Sequence, residues 1–396
     1  MNKQIDMKNL VELKVINNRS NLLKIEKDWN QLFIQQEQQW PFLEWEWFNI
    51  FWAEMDLSGW DVFILTAWEI DTLVGAAPLM KKEKRFFGLK YSIISGLENV
   101  HSPSYSWLLP KESDKKHSVV KLFIKHISGI TTNRYMLTWK NAYSYHSATK
   151  DLKRILYSEG LKVDSLPLRF PLTFSIPRDK KSILYSVSKS MRKRLRNKWK
   201  RLNNMGKVVF EEVSGSPDLS DYLNSAWELE LKTWKGKSGS AIAQDVFLKN
   251  FYNNLAIKLS SSGKLALFML WSDSELVAFL YGICDKQIIH ELKGSYNPEF
   301  SDYSPGHLLD WKVMEWTQNR GLRKVNMCGE AEDYKKHWCN KQDEVSAIRV
   351  FSPELFGKLF YHICFGWKNK LRKIGIIYGI IEFFNKKRRR LTKKSI

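Results

Sequence analysis

The segment Gln287–Trp338, QIIHELKGSYNPEFSDYSPGHLLDWKVMEWTQNRGLRKVNMCGEAEDYKKHW, decides the fold. Gln287–Lys293 is a short strand-like run. Ser304-Pro305-Gly306 follows a polar link, and His307–Gln318 then places Leu308, Leu309, Val313, Met314 and Trp316 at helical spacing. Serine is a favoured N-cap, and proline at the first helical position loses nothing by lacking an N–H. Gly306 leaves the neighbouring backbone N–H groups uncovered, so this helix start is a candidate anion site, reinforced by the helix dipole. Gly321 stops the helix, Lys324–Cys328 is the next strand, and Tyr334–Trp338 opens a further aromatic and basic helix. The segment reads as a βαβ unit.

The 396 residues, 44% of them hydrophobic and 14% aromatic, allow a large core and two domains. Seventeen tryptophans argue against disorder. The four cysteines, Cys284, Cys328, Cys339 and Cys364, form no CxxC pair, and the Cys328, His337, Cys339 cluster has no common zinc spacing. Neither a disulfide frame nor a metal site is expected. The polar start MNKQIDMKNL reads as no signal peptide, and no apolar run approaches the ~18 residues of a membrane span. A reduced, cytoplasmic protein is the expectation. The net charge of +21 is confined to two stretches. Arg178–Lys207 holds twelve Lys or Arg against one acid, and Phe351–Ile396 holds twelve against two, so the rest is neutral.

Along the chain, Val11–Ile16 is a first strand, Leu22–Phe33 and Trp45–Met55 are helices, and Asp61–Trp68 and Leu73–Met80 form a hairpin that the KKEKR run can extend. Tyr91–Ser95 and Tyr135–Trp139 are strands, Ser118–His126 and Leu152–Gly160 helices, and Arg169–Ile176 a linking strand. The second half repeats the first. Trp68–Gly75 matches Trp271–Ala278 without gaps at an offset of 203, in the same context of flanking strands and two preceding helices, as expected of a duplicated domain. Ser182–Asn204 is a basic helix with the stripe Met191, Leu195, Trp199, Leu202, and Asp218–Thr233 and Asp245–Leu259 are further helices. These divide the chain into residues 1–168, 169–350 and a tail, 351–396. In that tail Leu359, Phe360, Ile363 and Trp367 share one helical face, Ile374–Phe384 is apolar and Lys386–Arg390 is a basic block. Two readings stand for it: an amphipathic segment lying on an anionic membrane, and a helix packed on the domain with a solvated basic end.

An ordered set of motifs resembles a known family. These are Ser188 to Gly206 with its recurring Arg/Lys, Glu230-x-x-x-Trp234-Lys-Gly, the Leu265–Ile283 hairpin, Lys293-x-x-Tyr296, Ser304-Pro305-Gly306-x-Leu308-Leu309, and Gly329 followed by Tyr334-Lys335-x-x-Trp338. The set resembles the BioF2-like or CelD-like acetyltransferase domain of the GNAT superfamily, a relative of the FemABX peptidyltransferases. The resemblance implies an α/β fold of two tandem GNAT-like lobes, each a mixed sheet flanked by helices, with the first lobe degenerate and a basic amphipathic helical tail. It implies acetyl-CoA or another acyl-CoA as donor, with no metal, and direct attack by an amine on the thioester. Residues 304–308 would then receive the pyrophosphate and Ile289–Ser295 the pantetheine arm.

The candidate roles follow from that chemistry. Glu291 is the nearest candidate base, and Tyr296 and Tyr334 are candidate acids. Ser304, Gly306, His307, Leu308 and Lys293 are candidates for holding the donor, and Trp234, Lys235, Lys335 and Trp338 for holding the acceptor. Two departures from the family pattern stand out: one glycine with His307 in the second small position of the phosphate loop, and Asn326 where relatives often have an aspartate. The long helical hairpin of the relatives that use aminoacyl-tRNA is not found, which favours a CoA donor. The basic stretch Arg178–Lys207 has three readings: a solvated outer face, a counter-charge for the CoA phosphate or an acidic sugar, and a nucleic-acid contact that no helix-turn-helix, zinc-finger or RNP motif supports. The expectation is an N-acyltransferase acting on an amino sugar or another amine-bearing envelope or exopolysaccharide precursor, held at the inner face of the membrane by residues 355–396. The alternatives are aminoacyl transfer to a lipid-linked precursor and an inactive scaffold in polysaccharide synthesis.

Overall fold

The computed structural model describes residues 11–86, 88–178 and 182–366. The first half begins with β1 (Val11–Ile16), α1 (Arg19–Lys24), α2 (Glu26–Ile34) and α3 (Trp45–Glu54). It continues with β2 (Asp61–Glu69), β3 (Thr72–Phe86), β4 (Leu89–Gly96), α4 (Ser113–Ile130), β5 (Tyr135–Tyr143), α5 (Ser147–Ser158) and β6 (Lys162–Arg169). The second comprises β7 (Leu172–Ser175), α6 (Lys189–Asn203), β8 (Val208–Glu212), α7 (Leu219–Leu231), the one-turn α8 (Trp234–Lys237) and α9 (Val246–Ser261). Then come β9 (Leu265–Ser272), β10 (Glu275–Cys284), β11 (Ile288–Tyr296), α10 (Pro305–Asn319), β12 (Lys324–Asn326), β13 (Lys341–Gln342), β14 (Val345–Phe351) and α11 (Leu355–Tyr361).

Two seven-stranded sheets result, ordered β1-β2-β3-β4-β5-β14-β6 and β13-β7-β12-β11-β10-β9-β8. Read from β1 and from β8 they are the same sheet. Each opens with antiparallel strands and changes direction at one parallel pair, β4 with β5 and β11 with β12. A helix makes each parallel crossover, α4 in the first lobe and α10 in the second. The repeated hairpins fall at matching positions, and Ile70 and Asp273 open their turns with left-handed φ of 56° and 51°. The sixth place in the first sheet is filled from the second half of the chain, where β14 lies between β5 and β6; in the second sheet that place is taken by its own first strand, β7, between β12 and β13. Strand 345–351 therefore belongs to the first sheet, although a division at 350 assigns it to the second.

The lobes also share a core. Trp47 and Phe51 of α3 pack edge-on against Phe251 of α9, with centroids 5.3 and 6.0 Å apart. A second cluster lies under α6 and α10, where Met191, Leu195 and Leu202 meet Leu308, Leu309, Val313 and Met314. The expected helix 22–33 is broken at Ile25, helix 118–126 extends to eighteen residues, and the helix expected from Tyr334 is only a 3-10 turn, Lys335–His337. In the tail, Phe360 turns into a cluster with Phe86, Tyr91 and Phe351, whereas Leu359 and Ile363 face solvent. The shared face expected of those residues is thus divided. Trp367, the apolar run 374–384, the basic block 386–390 and the rest of the tail beyond 366 lie outside the described residues. Among the described residues no helix is long and apolar enough to cross a membrane.

Candidate functional site

The site begins where β11 leaves its neighbour. It pairs with β12 only through Ile288, Ile289 and His290, so residues 291–296 diverge from that strand. On the β10 side Tyr281 pairs with Lys293 and Gly282 with Glu291, leaving Leu292 as a bulge. Glycine is needed at 282, because a Cβ there would stand 2.5 Å from the His290 carbonyl oxygen. The splay and bulge open a cleft of about 1060 Å³ between β11, the start of α10, α8 and residues 327–335.

Ten of the twelve expected site residues line this cleft: Glu291, Lys293, Tyr296, Ser304, Gly306, His307, Trp234, Lys235, Tyr334 and Lys335. The other two do not. Leu308 is wholly buried in the core and its N–H is bonded to the Ser304 carbonyl, so it presents nothing to a donor. Trp338 is buried beneath the cleft, where its indole N–H donates to His307 Nδ1 at 3.1 Å. There it orients His307 and does not line the cleft. With Nδ1 accepting, the neutral imidazole carries its proton on Nε2. Burial, with His337 and Arg194 adding to it, lowers the His307 pKa to about 4 and keeps the ring neutral.

The helix start differs from the expected cap. Ser304 adopts a left-handed conformation (φ 53°, ψ 53°), and its side chain makes no capping bond. The following N–H groups of Gly306 and His307 lie in the first turn, where no carbonyl of the same helix can accept from them. A Cβ on Gly306 would meet only the Tyr296 ring, at 3.7 Å, so the approach to these amides is open. The basic helix α6 runs alongside. Lys198 donates to the Asp302 carbonyl, Arg201 stacks 5.3 Å over Tyr303, and Trp199 packs against Trp311 of α10. Positive charge therefore flanks the helix start, and the amides and the splayed strand fit a phosphate-bearing, chain-like donor.

The cleft floor holds an acid pair. Asp310, four residues beyond Gly306, is 7% exposed, and its Oδ2 has no partner. Glu291 Oε1 is buried without a partner as well. Burial raises the Glu291 pKa well above the usual carboxyl range, repulsion by Asp310 adds to this, and Lys335 opposes it. Burial likewise raises Asp310 to about 7, against the pull of Lys335. Tyr334 is 44% exposed, but its hydroxyl end is desolvated among the acids, so it keeps its proton more firmly still. Asp310 was not among the expected site residues; its signal in the sequence is a lone acid within an apolar helical stripe.

The lysines divide their tasks. Lys335 Nζ donates to the Cys328 and Glu330 carbonyls at 3.0 and 3.2 Å and lies 3.5 Å from Glu332, holding the loop that carries Tyr334. Lys235 Nζ donates to Glu230 at 2.6 Å, the Gly294 carbonyl at 2.9 Å and Ser295 Oγ at 3.2 Å. Its three N–H bonds tie α8 to β11, which leaves none for the acceptor assigned to it. Lys293 meets His101, which comes from the first lobe. Trp234 and Tyr296 stand at the rim, 69% and 44% exposed.

Residues 189–336, which contain this cleft's principal walls, match a family model described as an acetyltransferase (GNAT) domain. No curated protein matches the chain. Among solved structures the chain is similar to FemX, with a TM-score of 0.58 at 14% identity over 88% of this chain and 99% of that one. It is also similar to a conserved protein of unknown function from Bacteroides thetaiotaomicron, with a TM-score of 0.51 at 10% identity over 86% and 99%. Residues 189–336 thus match a GNAT acetyltransferase domain, and the chain as a whole has a two-lobed fold like that of FemX.

Proposed function

We propose that the protein transfers an acyl group from acyl-CoA to a primary amine of an amino sugar or another envelope precursor. The observation that carries this reading is the helix start at Ser304–His307 beside the splayed residues 291–296 of β11. The first offers open amides to a pyrophosphate, and the second offers an unpaired strand edge to the pantetheine arm. Glu291 accepts the proton of the attacking amine, and the Tyr334 or Tyr296 hydroxyl lies in the same cleft to donate toward the departing sulfur. An open cleft, not filled by a large side chain, supports an enzyme over a scaffold. Calorimetric titration with acetyl-CoA and free CoA tests the donor. Saturable binding of both supports the reading, and no binding by the folded protein transfers the case to aminoacyl donors or to a scaffold.

The location is part of the same proposal. The basic sequence 368–396 holds the enzyme against an anionic membrane, so its removal releases the protein from anionic vesicles. Co-sedimentation unchanged by that truncation sinks the membrane reading and leaves the donor site standing.

A further inference from the structure

We infer that Glu291 and Asp310 together form the seat of the acceptor's ammonium group, so that the cleft selects a primary ammonium and Asp310 touches it alongside Glu291. This rests on the N-acyltransferase reading above. The two acids come from different elements, β11 and α10, yet line one cleft. Each has a buried oxygen without a partner, Glu291 Oε1 and Asp310 Oδ2. A buried, unpaired carboxylate oxygen is destabilising unless a proton or a cation meets it.

The charges around the pair show which is missing. Lys335 is the cation that faces both acids, and its N–H bonds already go to the Cys328 and Glu330 carbonyls, with Glu332 close by. Tyr334, Cys328 and Cys339 complete the surroundings, and burial keeps all three protonated. Two carboxyl groups thus share one lysine and stand one positive charge short. Among the described residues no group of three His, Cys, Asp or Glu side chains is placed to hold a metal ion. A small cation that donates several hydrogen bonds in different directions fits two carboxyl oxygens, and an alkylammonium is that cation.

The same pair then starts the reaction. In the ligand-free cleft it keeps one proton, which the entering ammonium displaces to solvent. One carboxylate removes a proton from the bound ammonium, and the nitrogen lone pair forms the C–N bond at the thioester carbonyl. The tetrahedral adduct collapses with cleavage of the C–S bond, and the second nitrogen proton passes to the departing thiolate. The proton held by the carboxyl returns to solvent. Ammonium and thioester thereby give amide, thiol and one proton.

The test uses the full-length protein with methylammonium as probe. Infrared spectra near neutral pH follow the carboxylic-acid C=O band, with potassium and tetramethylammonium as controls. Methylammonium is expected to remove a band that the two controls leave in place. In Asp310→Asn the response to methylammonium is weakened, because one of the two carboxyl contacts is gone, while CoA titrates as in the wild type. A band insensitive to methylammonium overturns the assignment, as does an equal response to potassium or a response in Asp310→Asn equal to that of the wild type. The wild-type arms decide the matter even where a variant does not fold. Failure of CoA to bind the wild type would remove the donor reading and leave the carboxyl result legible on its own.

Discussion

Lys293, on β11 of the second lobe, holds its ammonium nitrogen 2.9 Å from Nδ1 of His101 in the first lobe. Burial, and then Lys293 itself, lower the His101 pKa to about 4, so the imidazole is neutral and accepts. Burial, with Lys235 adding to it, brings Lys293 down to about 8. The ring of Tyr252 lies 5.2 Å below the same ammonium. The first lobe thus reaches the site through His101.

The lowered proton affinity of Lys293 sets a pH dependence. An anionic donor favours the charged amine, so its affinity is full below about 8 and falls as pH rises through that value. Calorimetric titration of CoA across this range is expected to show the fall in the wild type. In Lys293→Arg, which stays charged, the decline is expected to vanish. A wild-type affinity that is flat with pH would separate Lys293 from the donor.

The open helix start makes opposite predictions for two substitutions at one position. Gly306→Ala places its Cβ in ordinary contact with Tyr296, 3.7 Å away, and leaves the amides uncovered, so CoA binding is retained within a few-fold. Gly306→Glu sets a carboxylate where a phosphate is received, and like-charge juxtaposition of a few kcal/mol weakens binding by about 100-fold or more. Circular dichroism shows whether both variants fold, and titration with CoA shows whether they diverge.

How far the site could be read from sequence depends on how local its causes are. The Trp68–Gly75 and Trp271–Ala278 hairpins were legible because turn residues and alternation act over a few positions. Ser304-Pro305-Gly306 announced its helix for the same reason, although the left-handed Ser304 and its uncapped side chain did not show. The entry of β14 into the first sheet has no local signature, since its partners β5 and β6 lie far back in the chain. His101 reaches the cleft across 192 residues of sequence and was invisible. Trp338 was placed by an assumed helix that proved to be a single 3-10 turn, which points its indole at His307. Asp310 was overlooked because its apolar neighbours Leu308, Leu309 and Val313 read as core, and only the fold brings Glu291 opposite to it.

The role of Glu291 separates chemistry from binding. Glu291 sits beside the Leu292 bulge of β11, whereas the proposed phosphate seat is the start of α10. Glu291→Gln is therefore expected to lower kcat by about 100- to 10,000-fold, as loss of a general base does. The CoA dissociation constant should stay within a few-fold. Steady-state assays of thiol release with an amine acceptor, beside titration of the same variant, check both halves. A change confined to CoA affinity would make Glu291 a donor ligand instead.

The loop that carries His101 depends on another buried acid. Glu98 accepts from the Lys140 backbone N–H and from the Asn141 amide at 2.6 Å. Arg169 bonds Asn141 Oδ1 at 2.7 Å and the Pro103 carbonyl at 2.6 Å, closing the network around residues 99–104. Burial raises Glu98 from 4.5 to about 7, and the hydrogen bonds with Arg169 and Lys140 only partly oppose it. Between those values the folded protein keeps a proton that the unfolded chain has released. Stability from this group is therefore full at acid pH and falls as pH rises from 4.5 through about 7. A shift of this size corresponds to at most about 3 kcal/mol across the window. Glu98→Gln keeps one acceptor oxygen but turns its NH2 toward the other donor, which lowers stability at every pH, yet it removes this part of the slope. Denaturant melts on both sides of the window are expected to show a wild-type decline with pH that is shallower in Glu98→Gln. Parallel slopes would mean that the carboxylate stays ionised in the fold. The charge of Arg169 would then outweigh burial in setting the state of Glu98 beneath the His101 loop.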